Sequence, residues 1–173
     1  VERIAAALHG MGINKGDRLT VYMPICPEAI ALLLATVRIG ALHLVVFAGF
    51  GEKALADRIA ASGSRLVFTA GATYRKGKDV PLKPIVEEAV RQAGGVEHVV
   101  SLNRTGVPAP MQDGRDLTWD DFMGRGSGQA ADCVPMESNE PAYILATSGT
   151  TAKPKLAVHT HGGYQVHIAS MGR

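Results

Sequence analysis

The stretch RLTVYMPICPEAIALLLATVRIGALHLVVF, residues 18–47, decides the fold. Residues 18–23 read as a strand, with β-branched and aromatic side chains in a short apolar run. Pro27 followed by Glu28 is a helix start: Pro sits at a first-turn position, and an acid lies near the positive end of the helix dipole. The helix should run to about Ile39 and stop at Gly40, and residues 42–47 then form a buried strand. Two strands joined by a helix of that length are parallel neighbours, because a parallel pair needs a crossover of a dozen residues or more. Working outward, Ile4, Leu8 and Met11 share one helix face, and Gly12 ends that helix. Helices are expected over 52–61 and 84–93, with strands over 65–70 and 98–102. The alternation predicts an α/β fold of parallel-sheet layers with helices on both faces.

The chain has 173 residues, the length of one domain, and is 46% hydrophobic and 20% charged, the composition of a globular protein. A net charge of +2 is too small to argue for a nucleic-acid partner. Residues 29–47 are apolar enough to test as a membrane span, but Arg38, Gly40 and His43 fall near the middle. An Arg at a bilayer centre costs about 2.5–3.5 kcal/mol, so a helix, a Gly stop and a buried strand explain the segment better. Neither a membrane nor a nucleic acid is expected as a partner. Cys26 and Cys133 lack partners at zinc-site spacing and read as two buried thiols in a reducing cytoplasm. Val1 opens an amphipathic segment and no signal peptide is visible; the absence of an initiating Met suggests residues upstream.

Residues 103–139 differ from the rest. They hold Pro108, Pro110, Pro135 and the run GRGSG, and their acids outnumber their arginines. A long connection with one short helix over 119–123 is expected, and connections of that length are usually functional or inserted. The strand pattern then resumes in YILATSGTTAKPKLAVHTHGGY, residues 143–164, with a hydroxyl-and-amine loop, a strand over 155–160 and a helix from 162 to 171. Thr147, Ser148, Thr150 and Thr151 supply hydroxyls, Gly149 permits close backbone approach, and Lys153 and Lys155 supply positive charge. Successive backbone N–H groups in such a turn form an anion-binding nest. No Gly-Lys-Ser/Thr follows, so this is not a Walker-type loop, and a polar turn between strands is the alternative reading of the loop taken alone. Two other patterns lead nowhere. GMGINKG, residues 10–16, has the wrong spacing for a dinucleotide fingerprint and follows a helix. His159, His161 and His167 lack a companion carboxylate, and only the first two could share a strand face, so no metal site is expected.

The run T-S-G-T-T-A-K-P-K, from Thr147 to Lys155, together with AVHTHGGY after it, resembles the phosphate loop of the adenylate-forming acyl-CoA synthetases, and acetyl-CoA and propionyl-CoA synthetases in particular. Residues 23–59 and 73–89 resemble the same enzymes, so the likeness covers most of the chain. The resemblance implies part of the large N-terminal domain of an AMP-forming acid–CoA ligase: an AMP-binding unit with an α/β part over 1–102, an irregular connection over 103–140, and a strand–loop–strand–helix segment over 141–173. It implies two-step chemistry, in which a short-chain carboxylate such as acetate or propionate attacks ATP to give an acyl-adenylate and pyrophosphate, and CoA then takes the acyl group. Thr147, Ser148, Gly149, Thr150, Thr151, Ala152, Lys153 and Lys155 would hold the ATP phosphates with Mg²⁺. Arg75, Lys76, Gly77 and Lys78 match a basic CoA-contacting loop, and Phe47, Ala48 and Gly49 match a neighbouring CoA-lining turn. Without the resemblance, YRKGK is a solvated basic loop.

Two positions depart from the family pattern. Ala152 stands where Gly is usual, and Leu156 where the loop normally ends in Gly; a positive φ at 152 would cost Ala on the order of 1 kcal/mol. The family's later motifs, an acyl pocket, a ribose-binding Asp and a C-terminal Lys, have no counterpart in these residues. The chain is therefore expected to be an internal piece of a longer cytoplasmic enzyme, inactive alone and partnered by the remainder of its own polypeptide. The competing readings are a non-catalytic nucleotide-binding remnant, a ligase for another acid, and a relative with a different acyl acceptor.

Overall fold

The computed structural model describes residues 1–104, 106, 109–147 and 155–172. A seven-stranded sheet runs in the order β7-β6-β3-β1-β2-β8-β9. Its centre is β1 (Arg18–Tyr22), β2 (Leu42–Val45), β3 (Leu66–Ala70) and β6 (His98–Leu102), all parallel. β1, β3 and β6 are buried along nearly their whole length, which explains why they read as near-continuous apolar runs and not as alternating ones.

The crossovers place the helices. α2 (Pro27–Arg38) carries the chain from β1 to β2 in one direction; α3 (Glu52–Ser62) and α4 (Lys83–Ala93) carry it back the other way, to β3 and β6. Right-handed connections put opposite directions on opposite faces. Accordingly α3 packs against α4, while α2 packs with α1 (Glu2–Gly10), which also touches α5 (Trp119–Gly124). The reversal leaves a crevice at the carboxyl ends of β1 and β3, where open α/β sheets bind their ligands.

The stretch from 103 to 140 is more ordered than its composition suggests. It supplies β7 (Asp116–Thr118), which pairs parallel with β6, and α5, closed by a reciprocal cap between Thr118 and Asp121. Phe122 and Trp119 of α5 pack against Phe68, with ring centroids 5.1 and 6.2 Å away. The glycines of GRGSG allow close approach to α1: a Cβ on Gly126 would lie 2.8 Å from the Ala7 nitrogen, and one on Gly10 would lie 1.9 Å from the Arg125 carbonyl oxygen. β7 is tied down by a buried ion cluster. Lys83, wholly buried, donates to Glu87, to Asp116 at 2.5 Å and to the Pro110 carbonyl at 2.9 Å. Arg115 donates to both Glu87 oxygens at 2.6 and 2.7 Å and to Asp116 at 2.6 Å. Burial works to raise the Asp116 pKa, but hydrogen bonds from Arg115 and Lys83 outweigh it and hold the group below the usual aspartate value.

The sheet is mostly parallel, as expected: β8 (Pro141–Thr147) runs parallel to β2, and among the described strands of this sheet only β9 (Lys155–Thr160), on β8, pairs antiparallel. Three other expectations need correction. Residues 74–78, read as a loop, lie within an antiparallel hairpin of β4 (Ala72–Arg75) and β5 (Lys78–Pro81). Cys26 is buried as expected, but Cys133 is exposed, because it sits in the connection before β8 and outside the core. His159 and His161 do not share a strand face: His159 stacks on Tyr143 at 4.6 Å, and His161 opens α6 (His161–Met171). On the other side of Tyr143 lies His43, whose pKa burial pushes down to about 4, so it stacks as a neutral ring at pH 7.

Candidate functional site

A cleft of about 660 Å³ opens at the carboxyl ends of the central strands. Residues 23–25 after β1, 45–50 at the end of β2, 73–75 of the hairpin after β3, and 145–146 of β8 line it, with Arg58 of α3. Phe47, Ala48, Gly49 and Arg75, singled out from segments almost thirty residues apart, therefore share one wall-to-wall space. Lys76, Gly77 and Lys78 lie just beyond Arg75 at the exposed hairpin tip.

The turn carrying Phe47 is built from local contacts. The Phe50 N–H donates to the Phe47 carbonyl at 3.0 Å, and the two rings meet edge to face at 6.0 Å. The Tyr22 hydroxyl, rising from the end of β1, donates to the Phe50 carbonyl at 2.6 Å. Burial, then the nearby Glu52 carboxylate, raises the Tyr22 pKa, so this donor keeps its proton. Arg58 stacks on the Phe50 ring at 4.7 Å from its centroid and donates through Nη1 to the Ala54 carbonyl at 2.7 Å. Gly49 is confined by its neighbour: a Cβ there would lie 2.4 Å from the Phe47 ring. The rim is apolar and open, with Ile25 95%, Tyr74 71% and Phe47 64% exposed. Single exposed apolar residues are ordinary, but a contiguous group around a cleft marks a binding site.

The hairpin places charge with care. Arg75 and Lys78 are direct cross-strand partners, the last pair before the turn. Lys76 and Gly77 both have positive φ, 50° and 78°, as a two-residue type I′ turn requires. Direct partners in an antiparallel pair project on the same face, and like charges in that position are unfavourable unless an anion joins them.

Of the phosphate-loop residues, Thr147 and Lys155 are paired at the end of the β8–β9 ladder, and the Thr147 hydroxyl donates to the Lys155 carbonyl at 3.3 Å. Ser148, Gly149, Thr150, Thr151, Ala152 and Lys153 lie outside the described residues. The cleft wall reaches Ala146, so the chain enters that segment directly from the cleft. Among the described residues no three His, Cys, Asp or Glu side chains converge to hold a metal ion, and no helix is long and apolar enough to cross a membrane.

The model of the AMP-binding enzyme family matches residues 1–172. The chain belongs to the AMP-binding enzymes. Within that family it is 49% identical to a 3-hydroxypropionyl-coenzyme A synthetase of Sulfurisphaera tokodaii over 99% of its own length. It is 47% identical to an acetyl-coenzyme A synthetase of Novosphingobium aromaticivorans over 95%, and 46% identical to that of Escherichia coli K12 over 96%. The chain spans about a quarter of the length of these relatives, 26%, 25% and 26% respectively. In this chain, Arg58, which lines the cleft, and Tyr22, which is buried behind it and holds the Phe50 carbonyl, are the residues that the sequence did not mark. Arg58 occupies one helix position among several charged ones, and Tyr22 is the last residue of a five-residue buried strand. Only the fold brings them to the Phe47–Phe50 turn.

Proposed function

We propose that this chain forms the coenzyme A side, and the entry to the ATP-phosphate side, of an AMP-forming acid–CoA ligase acting on a short-chain carboxylate. The observation that carries the reading is the cleft in which the Phe47–Gly49 turn, the Arg75–Lys78 hairpin and the end of β8 meet. The paired cations would receive a coenzyme phosphate, the apolar rim would cover its uncharged portions, and residues 147–155 would hold the ATP phosphates together with the Mg²⁺ that accompanies them as substrate. Such chemistry depends on positioning and charge neutralisation more than on a protein nucleophile. Acetyl- and 3-hydroxypropionyl-coenzyme A synthetases among the relatives support a small acid, the carboxylate expected from the sequence. Two unpaired cysteines fit a reducing, cytoplasmic setting. Relatives some four times as long, judged from the quarter of their length that is matched, support a partnership with further segments that complete the acyl site.

Replacing Arg75 and Lys78 together by Ala, in the complete polypeptide that carries this segment, tests the reading. The KM for coenzyme A should rise about ten-fold or more, the equivalent of one charge-assisted contact or two weaker exposed ones. Dephospho-coenzyme A, which lacks the 3′-phosphate, should be used equally well by parent and variant. An unchanged KM for coenzyme A would return the hairpin to a solvated surface loop and sink the assignment.

A further inference from the structure

Arg58 stands apart from the basic hairpin, on α3, yet lines the same cleft as Arg75, and nothing in the sequence pattern marks it. It is partly buried, which is costly for a cation without a counter-charge. Its neighbour Asp57 pairs with Lys53 at 3.6 Å, and among the described residues no carboxylate lies within ion-pair distance of Arg58. One of its nitrogens, Nη1, is held by the Ala54 carbonyl, and its plane is held by the Phe50 ring. Those two contacts fix the guanidinium and leave the Nε and Nη2 donors without a protein acceptor among the described residues. A guanidinium fixed by stacking, with donors to spare, is preorganised for phosphate.

We propose that Arg58 is a second anion contact of this cleft, taking the diphosphate of the coenzyme while Arg75 and Lys78 take its 3′-phosphate. The proposal rests on the coenzyme A reading above and divides the coenzyme between Arg58 and the hairpin. Arg75 belongs to an exposed hairpin at the rim, so it meets the part of the ligand that lies furthest out. Arg58 is half-buried against the Phe50 ring, further from solvent than the exposed Arg75 and Lys78. A ligand that enters the cleft thiol end first sets its diphosphate against the more buried Arg58 and leaves its 3′-phosphate at the exposed hairpin.

The test compares Arg58→Gln, Arg58→Lys and the Arg75→Ala/Lys78→Ala double variant in the complete polypeptide, with coenzyme A, dephospho-coenzyme A and pantetheine as acceptors. Arg58→Gln should raise the KM for coenzyme A and for dephospho-coenzyme A by the same factor, about ten-fold, with kcat at saturation little changed. Arg58→Lys should recover part of that loss, because the charge remains while the fork is gone. With pantetheine, which has neither phosphate group, Arg58→Gln and parent should give equal kcat/KM; a deficit there would show damage to the fold and overturn the proposal. A penalty that disappears with dephospho-coenzyme A would place Arg58 on the 3′-phosphate and overturn the division. If the double variant loses coenzyme A affinity while Arg58→Gln does not, Arg58 only packs under Phe50 and the proposal fails alone. If neither changes the KM, the coenzyme A reading fails with it.

Discussion

The buried ion cluster behind the hairpin gives the sharpest test of how this fold holds together. Lys83 lies at the start of α4, immediately after β5, and its ammonium reaches Asp116 of β7 across thirty-three positions of sequence. Lys83→Met keeps most of the stem volume and removes the charge, so it isolates the electrostatic part. Removing one partner of a buried ion pair costs about 3–5 kcal/mol when the other is left uncompensated. Here Arg115 still neutralises Glu87 through two bonds and Asp116 through one, which favours the lower limit. The Pro110 carbonyl, however, loses its donor. We therefore expect Lys83→Met to lower the urea-unfolding free energy by about 3 kcal/mol at pH 7, with the denaturant slope unchanged.

The same cluster sets a pH dependence. The folded Asp116 pKa is depressed below 3.8, so the stability it contributes is present above that unfolded value and is lost as pH falls through the folded one. Lys83→Met removes one of the bonds that depress it, so parent and variant should converge below about pH 4. A double-mutant cycle with Asp116→Asn should give a coupling of about 1–3 kcal/mol. A stability difference under about 0.5 kcal/mol at neutral pH, or a gap that stays constant in acid, would show that the cluster does not anchor β7 to α4.

Two further outcomes bear on the cleft. Gly49→Ala should cost under about 1 kcal/mol of stability, because the exposed Phe47 ring can swing from the new methyl, yet it should raise the KM for coenzyme A several-fold by moving that wall; equal damage to folding and binding would contradict it. Lys153→Ala with Thr150→Ala should slow carboxylate-dependent exchange of pyrophosphate into ATP by about 100-fold or more, since one preorganised donor is worth about 2.7–4 kcal/mol in comparable oxyanion sites. That loss should exceed any change in ATP affinity, and an unchanged exchange rate would mean that the segment is a turn and nothing more.

What was legible in the chain follows from how local each signal is. The runs in β1, β3 and β6 could be read because strands buried on both faces carry, past Arg18 and His98, only apolar side chains and the small hydroxyls of Thr20, Thr69 and Ser101, and Pro27 and Gly40 bracket α2 with little ambiguity. The direction of β9 could have been inferred as well: seven residues separate Thr147 from Lys155, too few for the crossover that a parallel neighbour demands. β7 was out of reach, since three residues of mixed polarity become a strand only because Lys83 and Arg115 hold Asp116 beside them. The hairpin at 72–81 was missed for a related reason. Its strands are short, its outer residues are charged, and its turn is Lys-Gly where Asn-Gly is the strong signal. Read as a loop, YRKGK offered only a cluster of cations that solvent could satisfy. Read with its register, it sets Arg75 directly against Lys78, an arrangement that weakens the hairpin it belongs to. On the proposed coenzyme A reading, a fold that keeps two like charges opposed beside an apolar cleft, with a third stacked on Phe50, would bear that cost in the free state and recover it when a polyanion binds.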